Sequence, residues 1–241
     1  MIKKLYGVFA VLLMWFVLHI LLQTPAIPNP LTTLYQTIKL APVLLPHLAM
    51  SLVRILSAIV VSAVVGTMIG IFMAQFKKLD EVLAPIVYIL YPIPKIAFLP
   101  ILMLLFGLGE TPKILLIVSI IIFQFLMSAK DAVKEIREEY LDSAKSLRIK
   151  GIELYKHIII PAILPSFFTT LRISVGVSIA VLFFGENFST KLGIGYFIMN
   201  SYAMVNYVSM YAGIVALSVF GLFLFYMIDR FEIILCPWLE K

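Results

Sequence analysis

The sequence predicts an all-α membrane protein with about six transmembrane helices, and three observations support this fold class. Of its 241 residues, 62% are hydrophobic and only 13% are charged, about half the charged share of a soluble domain. The mean hydropathy of +1.07 is spread along the whole chain. Uncharged runs long enough to cross a bilayer recur between short polar segments. These properties exclude an ordinary soluble enzyme and a disordered chain.

The N-terminal segment is predicted to contain one membrane helix and a linker. Residues 5–22 are uncharged and follow two lysines. A cleaved signal peptide is the alternative, but the next residues, QTPAIPNP, lack a small-x-small cleavage site. Residues 24–46 contain five prolines and are therefore predicted to be an external linker, not one regular helix. We expect residues 1–46 to precede a core domain formed by residues 47–241.

The second and third predicted spans differ in regularity. Residues 48–76 contain Gly66 and Gly70, whose spacing allows another helix to approach closely. Residues 82–108 are apolar but interrupted by four prolines, so a broken helix is expected, with ordinary proline kinks as the alternative. Broken backbone at membrane depth requires protein or a water-lined cavity to satisfy its carbonyls, which makes this span a candidate pathway wall. The prolines are Pro85, Pro92, Pro94 and Pro100.

Three more spans complete the prediction, with one long polar loop among them. The spans are residues 114–127, 162–185 and 210–228. Residues 130–160 form the only long hydrophilic stretch, and apolar residues recur there every three or four positions, which predicts short amphipathic helices. Six crossings would place both termini on the same side of the membrane.

Basic residues predict the orientation of these spans. Thirteen of the 19 Lys and Arg residues fall on the side that holds both termini and residues 130–160. Only three, Lys39, Lys113 and Lys191, fall on the opposite side. The positive-inside rule therefore predicts cytoplasmic termini, and the net charge of +6 is explained by orientation better than by nucleic-acid binding.

One segment of the polar loop carries a recognisable motif. YLDSAKSLRIKGIELYKHIIIPAILP, residues 140–165, resembles the signature of bacterial ABC-importer permeases. In that signature Glu-Ala-Ala is followed after three residues by Gly and after nine more by Ile-x-Leu-Pro. The matching positions here are Asp142, Ser143, Ala144, Ile158, Ile160 and Pro161.

Two positions depart from the signature. Ile160 replaces Leu, and Arg148 stands at the Gly position while the nearest glycine is Gly151, so the turn is expected to differ in shape. Tyr140, Ala144 and Leu147 are predicted to be the contacts that enter a cleft of an ATP-binding subunit. On periodicity alone, a solvated helix pair is the alternative. The predicted coupling residues are Glu139, Tyr140, Asp142, Ser143, Ala144, Leu147, Arg148, Gly151 and Pro161.

The resemblance covers about residues 46–230 and extends through PHLAMSLVRIL, YPIPKIAFLPILMLLFGLGETPKI and GENFSTKLGIGYFI. Within this family, the sequence is similar to the sulfonate/nitrate/taurine branch of the permeases. The resemblance implies a type I importer core with a cytoplasmic coupling helix in a bacterial or archaeal inner membrane. It also implies a second permease copy, two ATP-binding subunits and an extracytoplasmic binding protein as partners.

The implied function is inward movement of a small solute, a sulfonate-, nitrate- or taurine-like anion or a thiamine-precursor-like heterocycle. No G-x-x-x-x-G-K-[ST] phosphate loop occurs in the chain. We therefore expect this chain to be a transport subunit without enzymatic activity or a cofactor of its own, with ATP and Mg²⁺ bound by the partner ATPase.

Charged residues within the apolar segments are candidates for the translocation pathway. An ammonium at the depth of Lys95 is costly unless it meets a cavity, a partner or the interface. The same argument applies to Arg172, for which Glu186 is a candidate counter-charge, and a structural ion pair is the alternative to substrate contact. The predicted pathway residues are Pro92, Pro94, Lys95, Arg172 and Glu186.

Two other functions are alternatives to this prediction. An ion-gradient-driven secondary transporter would need intramembrane carboxylates or inverted repeats, and neither is evident in the sequence. An integral-membrane enzyme would show clustered His or Asp at one membrane face, and the spacing of these residues favours neither a catalytic group nor a metal site.

Overall fold

The structure, a computed structural model, describes residues 2–239, with side chains from Tyr6 onward. Lys241 lies outside the described residues, as do the side chains of Lys3 and Lys4. Every regular element in the described part is a helix, which confirms the all-α prediction. The helices are α1 (Ile2–Leu22), α2 (Pro30–Lys39), α3 (Ala41–Gln75), α4 (Lys77–Leu90), α5 (Leu99–Phe106), α6 (Thr111–Lys134), α7 (Glu138–Ser146), α8 (Ile152–Leu154), α9 (Ile160–Glu186), α10 (Ile194–Ala203) and α11 (Tyr207–Leu235).

Several helices are long and apolar enough to cross a membrane. Among the described residues these are α3, α6, α11 and the continuous helical segment Ile152–Glu186. A fifth candidate is the pair formed by α4 and Lys95–Phe106, which is bent by 83°. The bend confirms that the helix is broken here, as predicted, and α1 adds a shorter apolar helix over Tyr6–Leu22. The structure thus supports a polytopic membrane protein, and the count of six crossings stays a prediction.

The segment predicted to be a linker is largely helical. α2 begins at Pro30 because the Asn29 side chain accepts a 2.9 Å hydrogen bond from the Leu31 N–H and because proline fits the first helical position. α3 begins at Ala41, seven residues before the predicted start, and includes Pro46. The prediction that this segment is not one regular helix is confirmed, because α2 ends at Lys39 and α3 begins at Ala41, whereas its external position stays a prediction.

The chain divides into two compact units. One consists of Met1–Leu52 and Glu186–Phe220, and the other of Val53–Gly185 and Gly221–Lys241. In the first unit, the Trp15 and Tyr211 rings stack 5.3 Å apart. The His47 ring also lies 5.5 Å from that of Phe197. These contacts join α1 to α11 and α3 to α10.

In the second unit, α3 packs closely against α6 at two glycines. A Cβ atom at Gly66 would lie 2.6 Å from the Ile122 carbonyl oxygen, and one at Gly70 would overlap the Leu126 carbonyl oxygen. Only glycine permits this approach of two helix backbones. The predicted role of the glycine pair is confirmed.

Candidate functional site

The helix of the polar loop, α7, is exposed and stabilised by its own polar side chains. Glu138 and Glu139 occupy its first turn and Lys145 its last, which complements the helix dipole. Asp142 and Lys145 form an ion pair of 2.8 Å, and this hydrogen bond raises the pKa of Lys145 above its ordinary value. The Ser143 hydroxyl donates a 2.7 Å hydrogen bond to the Glu139 carbonyl oxygen. The acidic and small residues of the motif thus support the helix itself.

α7 ends in a Schellman motif at Arg148. The Arg148 N–H donates to the Lys145 carbonyl oxygen at 3.0 Å, and the Ile149 N–H donates to the Ala144 carbonyl oxygen at 2.9 Å. Arg148 has a φ of +57°, the left-handed conformation that glycine usually supplies after a helix. Arg148 therefore adopts a glycine-like backbone conformation at the position where the family signature has Gly.

The side chains of this loop differ strongly in accessibility. Tyr140, Leu147 and Ile152 are 56%, 72% and 77% exposed, whereas Ala144 is only 2% exposed. The prediction that Ala144 shares a contact surface with Tyr140 and Leu147 is wrong, because the chain itself covers Ala144. The exposed Ile152 was missed, since the resemblance carried no motif position there.

The polar loop is connected to α9 by an irregular stretch of helix. Gly151 has φ +58° and ψ −133°, a combination that residues with a side chain rarely adopt. A π-helical turn, Tyr155–Ile159, follows, and Pro161 lies in the first turn of α9. Pro161 has no N–H and its ring crowds the carbonyl four residues earlier, which accounts for the widened turn. The Tyr155 hydroxyl donates to the Gln75 side-chain oxygen at the end of α3.

The break between α4 and α5 is filled by the Lys95 ammonium. Lys95 Nζ donates to the carbonyl oxygens of Leu90 and Tyr91 at 2.8 Å and 2.9 Å. A longer contact of 3.5 Å reaches the Ile93 carbonyl oxygen, and the Phe123 ring centroid lies 4.8 Å from Nζ. The sequence left three possibilities for the Lys95 ammonium: a cavity, a partner or the interface. The structure shows a partner, because these backbone carbonyls can accept hydrogen bonds from all three N–H groups of the ammonium.

The prolines of this break explain why the carbonyls need a donor. Pro94 lacks the N–H that would bond the Leu90 carbonyl in a continuing helix, and Pro92 likewise cannot bond the carbonyl of Tyr88. α4 ends at Leu90, and the chain resumes as a 3₁₀ turn over Lys95–Phe98. Pro92, Pro94 and Lys95 thus act together as one structural break.

Arg172 pairs with two carboxylates of α11. Its guanidinium donates to Asp229 at 3.0 Å and to Glu232 at 2.6 Å. The prediction that Glu186 is its counter-charge is wrong, because fourteen residues of α9 separate the two, about 21 Å along a helix. The structure contains the interhelical ion pair that the sequence analysis named as the alternative.

Glu186 caps the N-terminus of α10. Its carboxylate accepts hydrogen bonds of 2.7 Å from the Ser51 hydroxyl and from the Gly195 N–H. The Ser51 oxygen in turn accepts the Ile194 N–H at 3.0 Å. Ser51 and Glu186 are both fully buried, and a carboxylate at a helix N-terminus is favoured by the helix dipole. The structure therefore gives Glu186 a positioning role for α10.

Sequence reasoning missed the partner of Arg54. The Arg54 guanidinium, 1% exposed, donates to both oxygens of Glu110, at 3.0 Å for Oε1. This hydrogen bond holds the pKa of Glu110 below its ordinary value. The sequence did contain a signal for this ion pair, because Arg54 and Glu110 both lie near the predicted outer ends of neighbouring spans.

Residues 66–232 match the family described as binding-protein-dependent transport system inner membrane component. The matched region contains the helix break, the polar loop and its turn, Arg172 and Glu186. The chain belongs to this family. Within it, the permease falls in the sulfonate/nitrate/taurine branch of type I ABC importers, as the resemblance predicted.

Individual relatives are similar over most of their length. The permease is 31% identical to the taurine transport system permease protein of Escherichia coli K12, over 96% of this chain and 88% of that protein. It is 28% identical to the formylaminopyrimidine transport permease protein of Halalkalibacterium halodurans, over 91% of this chain and 88% of that protein. A putative aliphatic sulfonates transport permease protein of Bacillus subtilis is also 28% identical, over 81% of this chain and 71% of that protein.

Family membership and the apolar helices together define the class of molecule. The chain is a multi-pass permease of the inner membrane. This assignment favours a transport subunit over the membrane enzyme and the gradient-driven transporter considered from the sequence.

Proposed function

We propose that this permease moves a small solute inward by alternating access, driven by ATP hydrolysis in separate subunits. The observation that carries the proposal is the loop of residues 138–151, which lies inside the matched family region and exposes Tyr140 and Leu147. Large apolar side chains exposed on a short capped helix between two membrane spans are typical of a docking site for a partner protein.

The docking contacts would lie on the exposed side of this loop. Tyr140 and Leu147 enter a cleft of the ATP-binding subunit, and Arg148 fixes the direction in which the chain leaves α7. Ala144 supports the helix from its covered side. The residues that we assign to coupling are Glu139, Tyr140, Asp142, Ser143, Ala144, Leu147, Arg148, Gly151 and Pro161.

Movement of the docked loop would reach the membrane helices through its exit. Tyr155 bonds Gln75 at the end of α3, and Ile159 packs with Ala132 of α6 and Ile163 of α9 in one apolar cluster. A rigid-body displacement of the loop would therefore act on three helices at once.

The pathway residues would shape the route more than they bind the solute. The helix break would stay at one position because of Pro92, Pro94 and Lys95. The ion pair of Arg172 would keep α9 against α11, and the Glu186 carboxylate would fix the N-terminus of α10. The ammonium of Lys95 is engaged with carbonyls, so we assign it a positioning role in the pathway wall.

The printed names of the relatives support the proposed substrate class. Proteins named for taurine, aliphatic sulfonates and formylaminopyrimidine transport are similar to this permease. We propose a small anion of the sulfonate, nitrate or taurine type, or a thiamine-precursor-like heterocycle, selected mainly by an extracytoplasmic binding protein.

The complete transporter would contain two copies of this chain, two ATP-binding subunits and the binding protein. The permease binds no cofactor of its own, and ATP with Mg²⁺ belongs to the partner subunits. The distribution of basic residues supports a cytoplasmic location for both termini and for residues 130–160, and we propose six crossings and a core of residues 47–241.

Reconstitution tests the mechanism directly. Proteoliposomes that contain the permease, its ATP-binding subunit and external binding protein should accumulate solute only with internal ATP. Accumulation should persist when ionophores collapse the ion gradients. Uptake that depends on an ion gradient and not on ATP would contradict the proposal.

A pair of loop variants tests the docking assignment. Leu147→Gln removes an exposed apolar contact and should weaken co-purification of the ATP-binding subunit about tenfold. Lys150→Gln, on the same loop, is the control and should bind normally. Ala144→Asp is a less specific test, because Ala144 is covered by its own chain and the charge would also damage the loop. Normal binding by Leu147→Gln would remove Leu147 from the docking surface.

A further inference from the structure

An open cavity of about 220 Å³ lies between the end of α6, the start of α7 and the first turns of α9. Its lining includes two oppositely charged side chains, Glu135 and Arg137, together with the Tyr140 ring and the Ser166 hydroxyl. Its size is below the usual range of about 300–1,000 Å³ for drug-sized ligands. The cavity therefore suits a small ligand or one group of a larger molecule.

The two charges of this cavity do not neutralise each other. Among the described residues, neither Glu135 nor Arg137 forms an ion pair, and both are exposed. The Arg137 guanidinium lies 5.6 Å from the centroid of the Tyr140 ring. In this position the N–H groups at the edge of the guanidinium plane can still donate hydrogen bonds to a ligand. A simple anion would be attracted by Arg137 and repelled by Glu135, and a simple cation the reverse. A ligand that carries both charges satisfies both groups.

We propose that this cavity binds a zwitterion in which a short carbon linker joins an ammonium group to a phosphate-type oxyanion. Arg137 donates to the oxyanion, for which the planar guanidinium is well suited. Glu135 accepts hydrogen bonds from the ammonium. The apolar side chains of Ile136 and Ala162 lie beside the carbon linker, and the Ser166 hydroxyl supplies one further polar contact.

The position of the cavity favours a phospholipid headgroup as the source of this zwitterion. α6 and Ile152–Glu186 are both candidate membrane spans, and the cavity lies where α6 ends and soon after the second span begins. Tyr and Arg are residues that commonly lie at the membrane surface. Phosphatidylethanolamine carries the required pair of charges, and soluble phosphoethanolamine shares this chemistry.

A bound headgroup would also bear on coupling. It would contact the end of α6, the first turn of α7 and α9, and would therefore restrain the loop that carries Tyr140 and Leu147. This consequence rests on the proposed function, whereas binding itself does not, so binding is tested on the purified permease without the ATP-binding subunit.

Native mass spectrometry of the purified chain tests the binding. The chain is mixed with equal amounts of phosphatidylethanolamine, phosphatidylglycerol and phosphatidylcholine, and bound lipid is counted. Phosphatidylethanolamine should be retained about tenfold over phosphatidylcholine, whose quaternary ammonium has no N–H to donate to Glu135. Titration with phosphoethanolamine identifies a soluble ligand if it binds while no lipid is preferred, and this outcome supports the zwitterion site.

Two variants separate the two halves of the ligand. Glu135→Gln should shift the preference from phosphatidylethanolamine to the anionic phosphatidylglycerol, because the carboxylate no longer repels an anion. Arg137→Gln should lower retention of both lipids about tenfold. Glu138→Gln and Lys150→Gln, outside the cavity, are the matched controls and should behave as the parent chain. The proposal would be overturned if the parent chain neither preferred phosphatidylethanolamine over phosphatidylcholine nor bound phosphoethanolamine, or if the controls showed the same shift.

Discussion

Arg172 and Glu232 are joined by a 2.6 Å hydrogen bond between charged groups, although 60 residues separate them in the chain. Asp229 accepts a second hydrogen bond from the same guanidinium at 3.0 Å. The group therefore joins α9 to α11 within one unit. A structural role of this kind makes a different prediction from contact with the solute.

Removing the Arg172 charge should destabilise the fold. Arg172→Met leaves two carboxylates without their shared partner and should lower the free energy of unfolding by about 1–3 kcal/mol, since the group is partly exposed. The triple variant Arg172→Met/Asp229→Asn/Glu232→Gln should recover part of this loss, because no charge is left unpaired. Thermal unfolding in detergent measures both. An unchanged unfolding temperature together with a raised KM for the solute would indicate solute contact instead.

A methyl group at Gly193 should disturb the cap of α10. A Cβ atom there would lie 2.6 Å from both oxygens of the Glu186 carboxylate, which cannot move away without losing Ser51 or Gly195. Gly193→Ala should therefore cost about 1–3 kcal/mol. Gly176→Ala is the matched control, because nothing lies within 4 Å of a Cβ at that position. Thermal unfolding and proteolysis near residue 193 measure the effect. Equal stability of the two variants would contradict the assigned cap.

The Arg54–Glu110 pair predicts a pH dependence with a defined sign. Its hydrogen bond holds the pKa of Glu110 below the ordinary value of 4.5. The pair's contribution to stability is therefore complete above about pH 4.5 and is lost as the pH falls through the lowered pKa. Unfolding temperatures of the parent chain and Glu110→Gln should differ near neutral pH and converge in acid. A constant difference down to the acid limit would show that the ionised carboxylate contributes nothing.

Local chemistry explains which parts of the fold the sequence could predict. The broken third span follows from prolines that remove N–H donors, and the close approach of α3 and α6 follows from two glycines without side chains. Both effects depend on single residue types in the printed sequence. The helix in the proline-rich segment escaped prediction because Asn29 and Pro30 form a favourable start there, and proline content alone hides such a cap.

The contacts of individual side chains were predicted less well than the helices. Glu186 lies about 21 Å from Arg172 along the same helix, so the helical rise alone excludes it as a partner. Identifying Asp229 and Glu232 as the partners requires the packing of α9 against α11. α11 is almost uniformly apolar, so the sequence holds little periodicity that would reveal which side faces Arg172. Ala144 illustrates the same limit, since helical spacing groups it with Tyr140 and Leu147 while tertiary packing covers it.

Loss of the Lys95 ammonium should affect the helix break before it affects the solute. Lys95→Met removes the donor that satisfies the Leu90 and Tyr91 carbonyls. We therefore expect a lower maximal transport rate and lower thermal stability with little change in KM for the solute. Lys95→Arg, which retains donors and charge, should keep most of both. Proteoliposome uptake over a range of solute concentrations separates these quantities. A raised KM with unchanged stability would place the ammonium in contact with the solute.

The turn after α7 allows the most specific test, because two neighbouring positions predict opposite effects. Arg148 has φ +57° although it carries a side chain, so Arg148→Gly relieves an unfavourable conformation. The Schellman hydrogen bonds are backbone groups and remain. Arg148→Gly should therefore stabilise the loop by about 0.5–1 kcal/mol.

Gly151 is the counterpart in the same loop, since its φ of +58° with ψ −133° suits only glycine. Gly151→Ala should destabilise the loop by about 1 kcal/mol or more. Hydrogen exchange of the amides in residues 138–154 measures both variants against Lys150→Gly, whose only expected effect is the added flexibility of the unfolded chain. Slower exchange in Arg148→Gly with weaker, salt-dependent binding of the ATP-binding subunit would show that the Arg148 side chain contacts the partner. Faster exchange in Arg148→Gly would contradict the left-handed turn itself.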